Sequence, residues 1–493
     1  MSSDLVIVYH RQPYEEVEVD GKIERRENKS PNGIVPTLKS FFGRVGKGAW
    51  VAWKLAEDPA HPGFETIVEI EDSFGKYTVS RLPLTAEQVS SFYHVTSKEA
   101  FWPILHSFKD KYNYDPVDWP TFREVNWAFA EAAAQEAAEG AVVWVHDYNL
   151  WLVPAYLRRL RPDVKIAFFH HTPFPSADMF NVLPWRREII GSLLQCDYIG
   201  FHIPRQAENF VDVVRGVAPL EVVEETGCAP RYLTYGCAVG LERMATRIKV
   251  HGREIGLGAH PVGLDVDRVQ QVLDSEVCQE QITMLRKELE GIRVVLSVER
   301  LDYTKGTYAK LLAFEALLEA HPELIGKVSL ITICVPAARE MTIYAELLGQ
   351  IEQAVGRING RFSRVGWTPV QFFYRAVPFD QLVAYYLMAD VMWITPLRDG
   401  LNLVAKEYAA ARRNRGGVLV LSEFTGASVV LDGAVLTNPY SNRRMDEAIE
   451  SALEMDEDEQ RDRMSRMTDA VESYTVRDWA DEQMSGLSPT SPQ

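Results

Sequence analysis

The chain has 493 residues, 46% hydrophobic and 25% charged. That balance excludes a mainly disordered chain, and the length exceeds what one hydrophobic core normally serves. Its 52 Lys and Arg against 69 Asp and Glu leave a net charge of −17, which argues against nucleic acid as a partner and requires any anion-binding cations to be gathered at one place. Five scattered cysteines (Cys196, Cys228, Cys237, Cys278 and Cys334) form no C-x-x-C pair, so neither a disulfide framework nor structural zinc is expected. With no signal-peptide pattern and no apolar run long enough to span a membrane, the sequence predicts a cytoplasmic protein.

In chain order, Leu5–Tyr9 predicts a strand ending at His10-Arg11. The polar stretch Glu15–Lys29 predicts a surface loop or hairpin, Ser30-Pro31-Asn32-Gly33 a turn, and Ile34–Phe42 the start of a helix. Two strand-then-helix units follow. Ala141–Val145 runs into His146-Asp147 before helical spacing over Leu150–Leu160, and Lys165–Phe169 runs into His170-His171. Tyr198–Phe201 ends a third strand, and Pro204–Val214 suits a helix with proline in its first turn.

The pattern restarts near residue 260, with strands at Arg293–Val298, Val328–Ile333, Val391–Ile394 and Val418–Leu421. Helical runs at Tyr308–Ala320, Arg339–Ala354 and Leu403–Arg413 separate them. Continuous apolar strands alternating with amphipathic helices predict parallel sheets covered on both faces. The expected organisation is an α/β fold of two doubly wound domains, 1–255 and 256–473. A helix at about 474–486 packs back on the first domain, and 487–493 forms a disordered tail.

Ligands of open parallel sheets bind beyond the carboxyl ends of the strands. Those exits are polar here: His10-Arg11, His146-Asp147, His170-His171, Glu299-Arg300 and Arg398-Asp399-Gly400. Spread over two domains, they predict a cleft between them. Arg300 at a strand end and Lys305 before a helix N-terminus suit a diphosphate, although surface pairing with Glu299 and Asp302 is an equal alternative on these residues alone. Gly400–Val404 can present backbone N–H groups, with Asp399 placed for sugar hydroxyls and Glu407 for a ribose diol. Asp265-Val266-Asp267 reads as a helix cap rather than a metal pair, and no further His or Asp ligands accompany His146-Asp147, so no metal is expected.

The segments Val145–Leu150, Phe168–Pro175, Val298–Gly306 and Leu397–Glu407 resemble the signatures of retaining α-glucosyltransferases of the trehalose-6-phosphate synthase family, over about Leu5 to Asp478. The resemblance implies the GT-B architecture, two facing Rossmann-like domains with the active site in the cleft. It also implies glucose transfer from a nucleoside diphosphate to a phosphorylated acceptor, with no cofactor. By motif, Arg300 and Lys305 match donor-diphosphate binders, and Asp399 and His171 match residues that hold the donor glucose. Gly400, Leu401, Asn402, Leu403 and Val404 match the segment beside the phosphates. Glu407 matches the ribose carboxylate, and Gly33 the remnant of a Gly-Gly-Leu donor loop. Around the acceptor, Arg11, Tyr93, Trp102, Asp147 and Arg339 match residues of its pocket, with Trp50 nearby.

The segment between Tyr93 and Trp102, His94-Val95-Thr96-Ser97-Lys98-Glu99-Ala100-Phe101, departs from the asparagine-rich version usual in trehalose-6-phosphate synthases. Ser97–Pro103, Asn181–Arg187 and Cys196–His202 instead resemble the branch of the family that takes ADP-glucose as donor and glycerol 3-phosphate as acceptor, in compatible-solute synthesis for salt tolerance. Transfer to glucose 6-phosphate is the alternative, and a non-catalytic sugar-nucleotide sensor a third reading. A homo-oligomer, a phosphatase acting on the product and the choice of adenine over other bases stay open.

Overall fold

The computed structural model describes residues 2–20, 22–27, 34–228, 241–337 and 342–487. Its larger sheet has ten strands, in the spatial order Leu220–Gly227, Arg243–Val250, Arg253–Ala259, Tyr198–Phe201, Lys165–Phe169, Ala137–His146, Ser3–Val8, Gly48–Leu55, Gly75–Leu84 and Ile67–Asp72. The seven strands from Arg253–Ala259 to Gly75–Leu84 are parallel, and antiparallel strands extend the sheet at both ends. Central strands such as Ser3–Val8 and Tyr198–Phe201 are apolar almost throughout because apolar groups cover both faces of the sheet. One layer includes Phe122 and Phe129 from the helix Trp119–Glu136, and Phe210 from Pro204–Arg215. The other gathers Phe41, Trp50, Trp144, Phe169 and Trp479. Glu15–Lys29 largely forms a charged hairpin, Tyr14–Val19 with Lys22–Glu27; the turn expected at 30–33 lies outside the described residues.

The second sheet has six parallel strands in the order Val370–Phe373, Val328–Val335, Arg293–Arg300, Val391–Ile394, Val418–Ser422 and Val435–Thr437. Helices cover both of its faces. The helix Leu403–Ala411 has eight buried residues out of nine, so it is enclosed on all sides.

The boundary expected between residues 255 and 256 falls inside the strand Arg253–Ala259. Parallel pairing with Tyr198–Phe201 keeps that strand in the first sheet, and the chain leaves it at His260. The return crossing runs beside the first: Leu264 and Thr475 form a bridge, and a Cβ on Gly263 would lie 2.0 Å from the Thr475 carbonyl oxygen. The final helix, Val476–Ser485, lies on the first sheet. Its fully buried Trp479 packs edge-on to Phe41 and Phe169 and tilted on Trp144, with ring centroids 5.0–5.8 Å apart.

Candidate active site

The carboxyl ends of the two parallel sheets face each other across a cleft of about 490 Å³. The first sheet contributes Arg11, Asp147 and His171; the second contributes Arg300, Lys305 and the Asp399–Val404 segment.

On the second domain's wall the alternative pairing of Glu299 and Asp302 with the cations does not occur. Glu299 turns inward to Lys310 and Thr307. Asp302 accepts from Thr304 through its backbone N–H and hydroxyl, at 3.0 and 2.8 Å. Arg300 is left with no carboxylate partner among the described residues, its guanidinium 5.9 Å from the Trp102 ring centroid. Lys305 pairs with Asp399 at 2.6 Å. Burial raises the Asp399 pKa, but the Lys305 charge and hydrogen bond outweigh it and hold the carboxyl ionised below its usual range. Asn402 caps the following helix at φ 84°: its side-chain oxygen accepts from the Ala405 N–H, and its amide donates to Asp399 at 3.2 Å.

Gly400, Leu401, Leu403 and Val404 line the same wall. A Cβ on Gly400 would lie 2.5 Å from the His171 carbonyl oxygen, so the two domains touch here through bare backbone. Glu407 is set back from the cleft. It borders a side pocket of about 50 Å³ that shares Pro36, Thr37 and Leu403 with the main one. Burial pushes its carboxyl up to about 8, partly offset by the 2.9 Å hydrogen bond from the Tyr386 hydroxyl.

The opposite wall is shaped by an element that the sequence periodicity did not reveal. Ser90–Phe101 is a π-helix, its wider turn closed by i→i+5 bonds. Ser97 Oγ donates to the Phe92 carbonyl five residues back, and the Trp102 N–H donates to Ser97 in the same pattern. At 3.6 residues per turn, the step from Tyr93 to Trp102 is about two and a half turns and would point them apart. The π turn brings Tyr93, Lys98 and Trp102 to one face of the cleft.

Arg11 donates to the Tyr93 hydroxyl at 3.5 Å. Burial raises the Tyr93 pKa, but Lys98, Arg11 and Arg300 bring it down to about 8. The Trp102 indole N–H reaches across the cleft to Asp302 at 3.3 Å, and the Tyr344 hydroxyl donates to the other oxygen of that carboxylate. Asp302, seen in the sequence only as a potential partner of the cations, thus joins the two domains. Its D-x-T capping pattern was the available signal.

Trp50, expected beside the acceptor, does not line the cleft. It is fully buried behind Arg11, and its indole N–H donates to the Arg11 carbonyl at 2.8 Å, so it positions that residue from the core. Asp147 sits at the strand exit at φ 71°, an unfavourable conformation for a side-chain-bearing residue. It accepts from the Thr172 hydroxyl at 3.1 Å, and burial raises its carboxyl to about 6 against the opposing hydrogen bonds and the Lys98 charge. Gly33 and Arg339 lie outside the described residues.

His171 shares a 3.2 Å ring-to-ring contact with His146, and burial holds both well below the usual histidine range, so both are neutral. The Val262 N–H donates to His202 Nδ1, which leaves Nε2–H of that ring to donate to the His171 carbonyl. Among the described residues, no group of three or more His, Cys, Asp or Glu side chains converges as a metal site. No helix among them is long and apolar enough to cross a membrane.

Two facing Rossmann-like domains, with an interdomain cleft carrying unpaired cations and a capped helix start, define a GT-B glycosyltransferase. The chain belongs to glycosyltransferase family 20, whose profile matches residues 3–489. It is 58% identical over 495 residues to the glucosylglycerol-phosphate synthase of Pseudomonas anguilliseptica, covering 100% of this chain but only 66% of that longer protein. It is 50% identical over 480 residues to the glucosylglycerol-phosphate synthase of Synechocystis sp., covering 97% and 96% of the two chains. The crystal structure of an α,α-trehalose-phosphate synthase (UDP-forming) from Burkholderia vietnamiensis matches with a TM-score of 0.83 at 30% identity, covering 98% of this chain and 99% of that one.

Proposed function

We propose that this glycosyltransferase moves glucose from ADP-glucose to glycerol 3-phosphate with retained α configuration, giving glucosylglycerol phosphate and ADP. The observation that carries the reading is a set of cations on both sides of one cleft that have no ion-paired carboxylate among the described residues. Arg300 stands on the donor wall beside the Lys305–Asp399 pair, and Arg11 and Lys98 stand around Tyr93 on the acceptor wall. Two anionic groups, a diphosphate and a phosphate monoester, account for charge in both places. The identity to two glucosylglycerol-phosphate synthases supports glucosylglycerol phosphate as the product.

In this mechanism the acceptor hydroxyl attacks from the face the diphosphate leaves, and the departing phosphate oxygen takes its proton. No carboxylate nucleophile is needed, in contrast to retaining glycosidases with two facing carboxylates. Arg300 and Lys305 stabilise the charge that develops on the leaving diphosphate. Asp399 and His171 hold the glucose, Gly400–Val404 offers backbone donors to the phosphates, and Glu407 takes the ribose. Arg11 and Tyr93 receive the acceptor phosphate, and Asp147 its hydroxyls. No resident cofactor takes part, the reaction belongs to the cytoplasm, and a phosphatase must follow if the free solute is the end product.

The test is a matrix of ADP-glucose and UDP-glucose against glycerol 3-phosphate and glucose 6-phosphate, read by mass spectrometry of the product. Glucosylglycerol phosphate formed with ADP-glucose is the expected result. Product from glucose 6-phosphate alone would make the protein a trehalose-6-phosphate synthase, and tight donor binding without turnover would make it a sensor.

A further inference from the structure

Lys98 lines the cleft midway along the face formed by the π-helix, five residues after Tyr93 and four before Trp102. Its ammonium lies 3.8 Å from the Trp102 ring centroid and 5.8 Å from that of Tyr93. No carboxylate among the described residues pairs with it. The same ring carries Arg300 at 5.9 Å, so two cations share one indole and are turned toward one space.

His10 lines the same cleft. It stacks on Tyr93 with centroids 5.5 Å apart, is only 6% exposed, and has neither ring nitrogen hydrogen-bonded among the described residues. Burial, with Arg11, Lys98 and Arg300 adding to it, keeps that ring neutral.

The position of Lys98 has two consequences. Its charge adds to that of Arg11 for a dianionic group. With the ammonium set over the Trp102 ring, the side chain also occupies the place where a sugar ring would stack on that indole at the cleft. We propose that Lys98 selects the acceptor: its ammonium binds the acceptor phosphate beside Arg11, and the bulk of its side chain at Trp102 denies that indole to a hexose phosphate while leaving room for a three-carbon one. The proposal rests on the glucosyl-transfer reading above. Burial, Arg300 and Arg11 lower the Lys98 pKa against the pull of Tyr93 and of the Asp302 carboxylate, so an arriving dianion also relieves an unfavourable charge.

Two substitutions separate the two roles. Lys98→Met keeps the bulk and removes the charge, whereas Lys98→Ala removes both. Steady-state kinetics with glycerol 3-phosphate should show KM raised about ten- to a hundred-fold in both variants, the scale of one charge-assisted contact, with the KM for ADP-glucose unchanged. Lys98→Ala alone should gain turnover of glucose 6-phosphate. An unchanged acceptor KM in Lys98→Met would overturn the phosphate role, and a Lys98→Ala variant as selective as the wild type would overturn the steric role. A donor KM that rose in parallel would reassign Lys98 to the diphosphate. Failure of the glucosyl-transfer reading would be distinct, because the unmodified enzyme would then make no glucosylglycerol phosphate.

Discussion

At the scale of single residues, the cleft sets Arg300 and Lys98, which have no carboxylate within ion-pair distance among the described residues, beside carboxylates held at different ionisation states. Replacing Arg300 by Ala should lower kcat on the order of a hundred- to a thousand-fold, the scale of one lost transition-state contact. Lys305→Ala should do the same and, in addition, strand the buried Asp399 carboxylate; single-turnover kinetics on folded variants tests both. If the proposed transfer is the reaction, its pH profile follows from two neighbours of Lys98 and the roles proposed for them. Asp147, raised to about 6, is protonated below that pH and stops accepting from the acceptor hydroxyl. Tyr93, lowered to about 8, becomes a phenolate above it and cancels charge meant for the acceptor phosphate. kcat/KM should therefore form a bell between about 6 and 8, with Asp147→Asn removing the acid limb and Tyr93→Phe the alkaline one. Glu407, raised to about 8, is a neutral acid at pH 7, so Glu407→Gln should keep donor affinity better than Glu407→Ala in calorimetric titration with ADP.

At the scale of elements, what the sequence revealed depended on how regular each element is. Lys165–Phe169 is a strand with the bounds read from its apolar run, because a strand covered on both faces leaves no polar interruption, and Tyr198–Phe201, read as the end of a strand, proves to be all of one. The second domain's wall of the cleft was equally readable. Arg300, Lys305 and Asp399 follow strand ends, where a parallel sheet brings polar groups together whatever its details. The first domain's wall was not, since Tyr93, Lys98 and Trp102 share a face only on a π turn, and a 3.6-residue period scatters them. Trp50 was misplaced for a related reason: a tryptophan's burial depends on the partner strand, which its own neighbours in sequence do not specify. The donor loop also makes a prediction. Gly400→Ala would press a methyl against the His171 and Thr172 backbone, so it should part the domains and raise the donor KM by roughly ten-fold, matching ~1–3 kcal/mol of overpacking.

At the scale of the whole molecule, the two domains are joined by paired crossings and by contacts from both sides. The Val262 peptide donates to His202 of the first domain and accepts from Lys406 of the second at 2.7 Å, so the hinge is gripped by each. The final helix closes the core of the first domain with Trp479. Trp479→Ala should cost about 3–5 kcal/mol of unfolding free energy, measured by equilibrium urea denaturation of the intact chain.

That helix also sets the order in which the molecule is completed during synthesis. Trp144 and Phe169 are made well before the second sheet, yet the layer around them lacks the indole that seals it until the ribosome has passed residue 479 and released that stretch from the exit tunnel. The domain that is made first is therefore finished last, after the second sheet has emerged, and a nascent chain arrested near residue 473 would display an unsealed aromatic surface to chaperones.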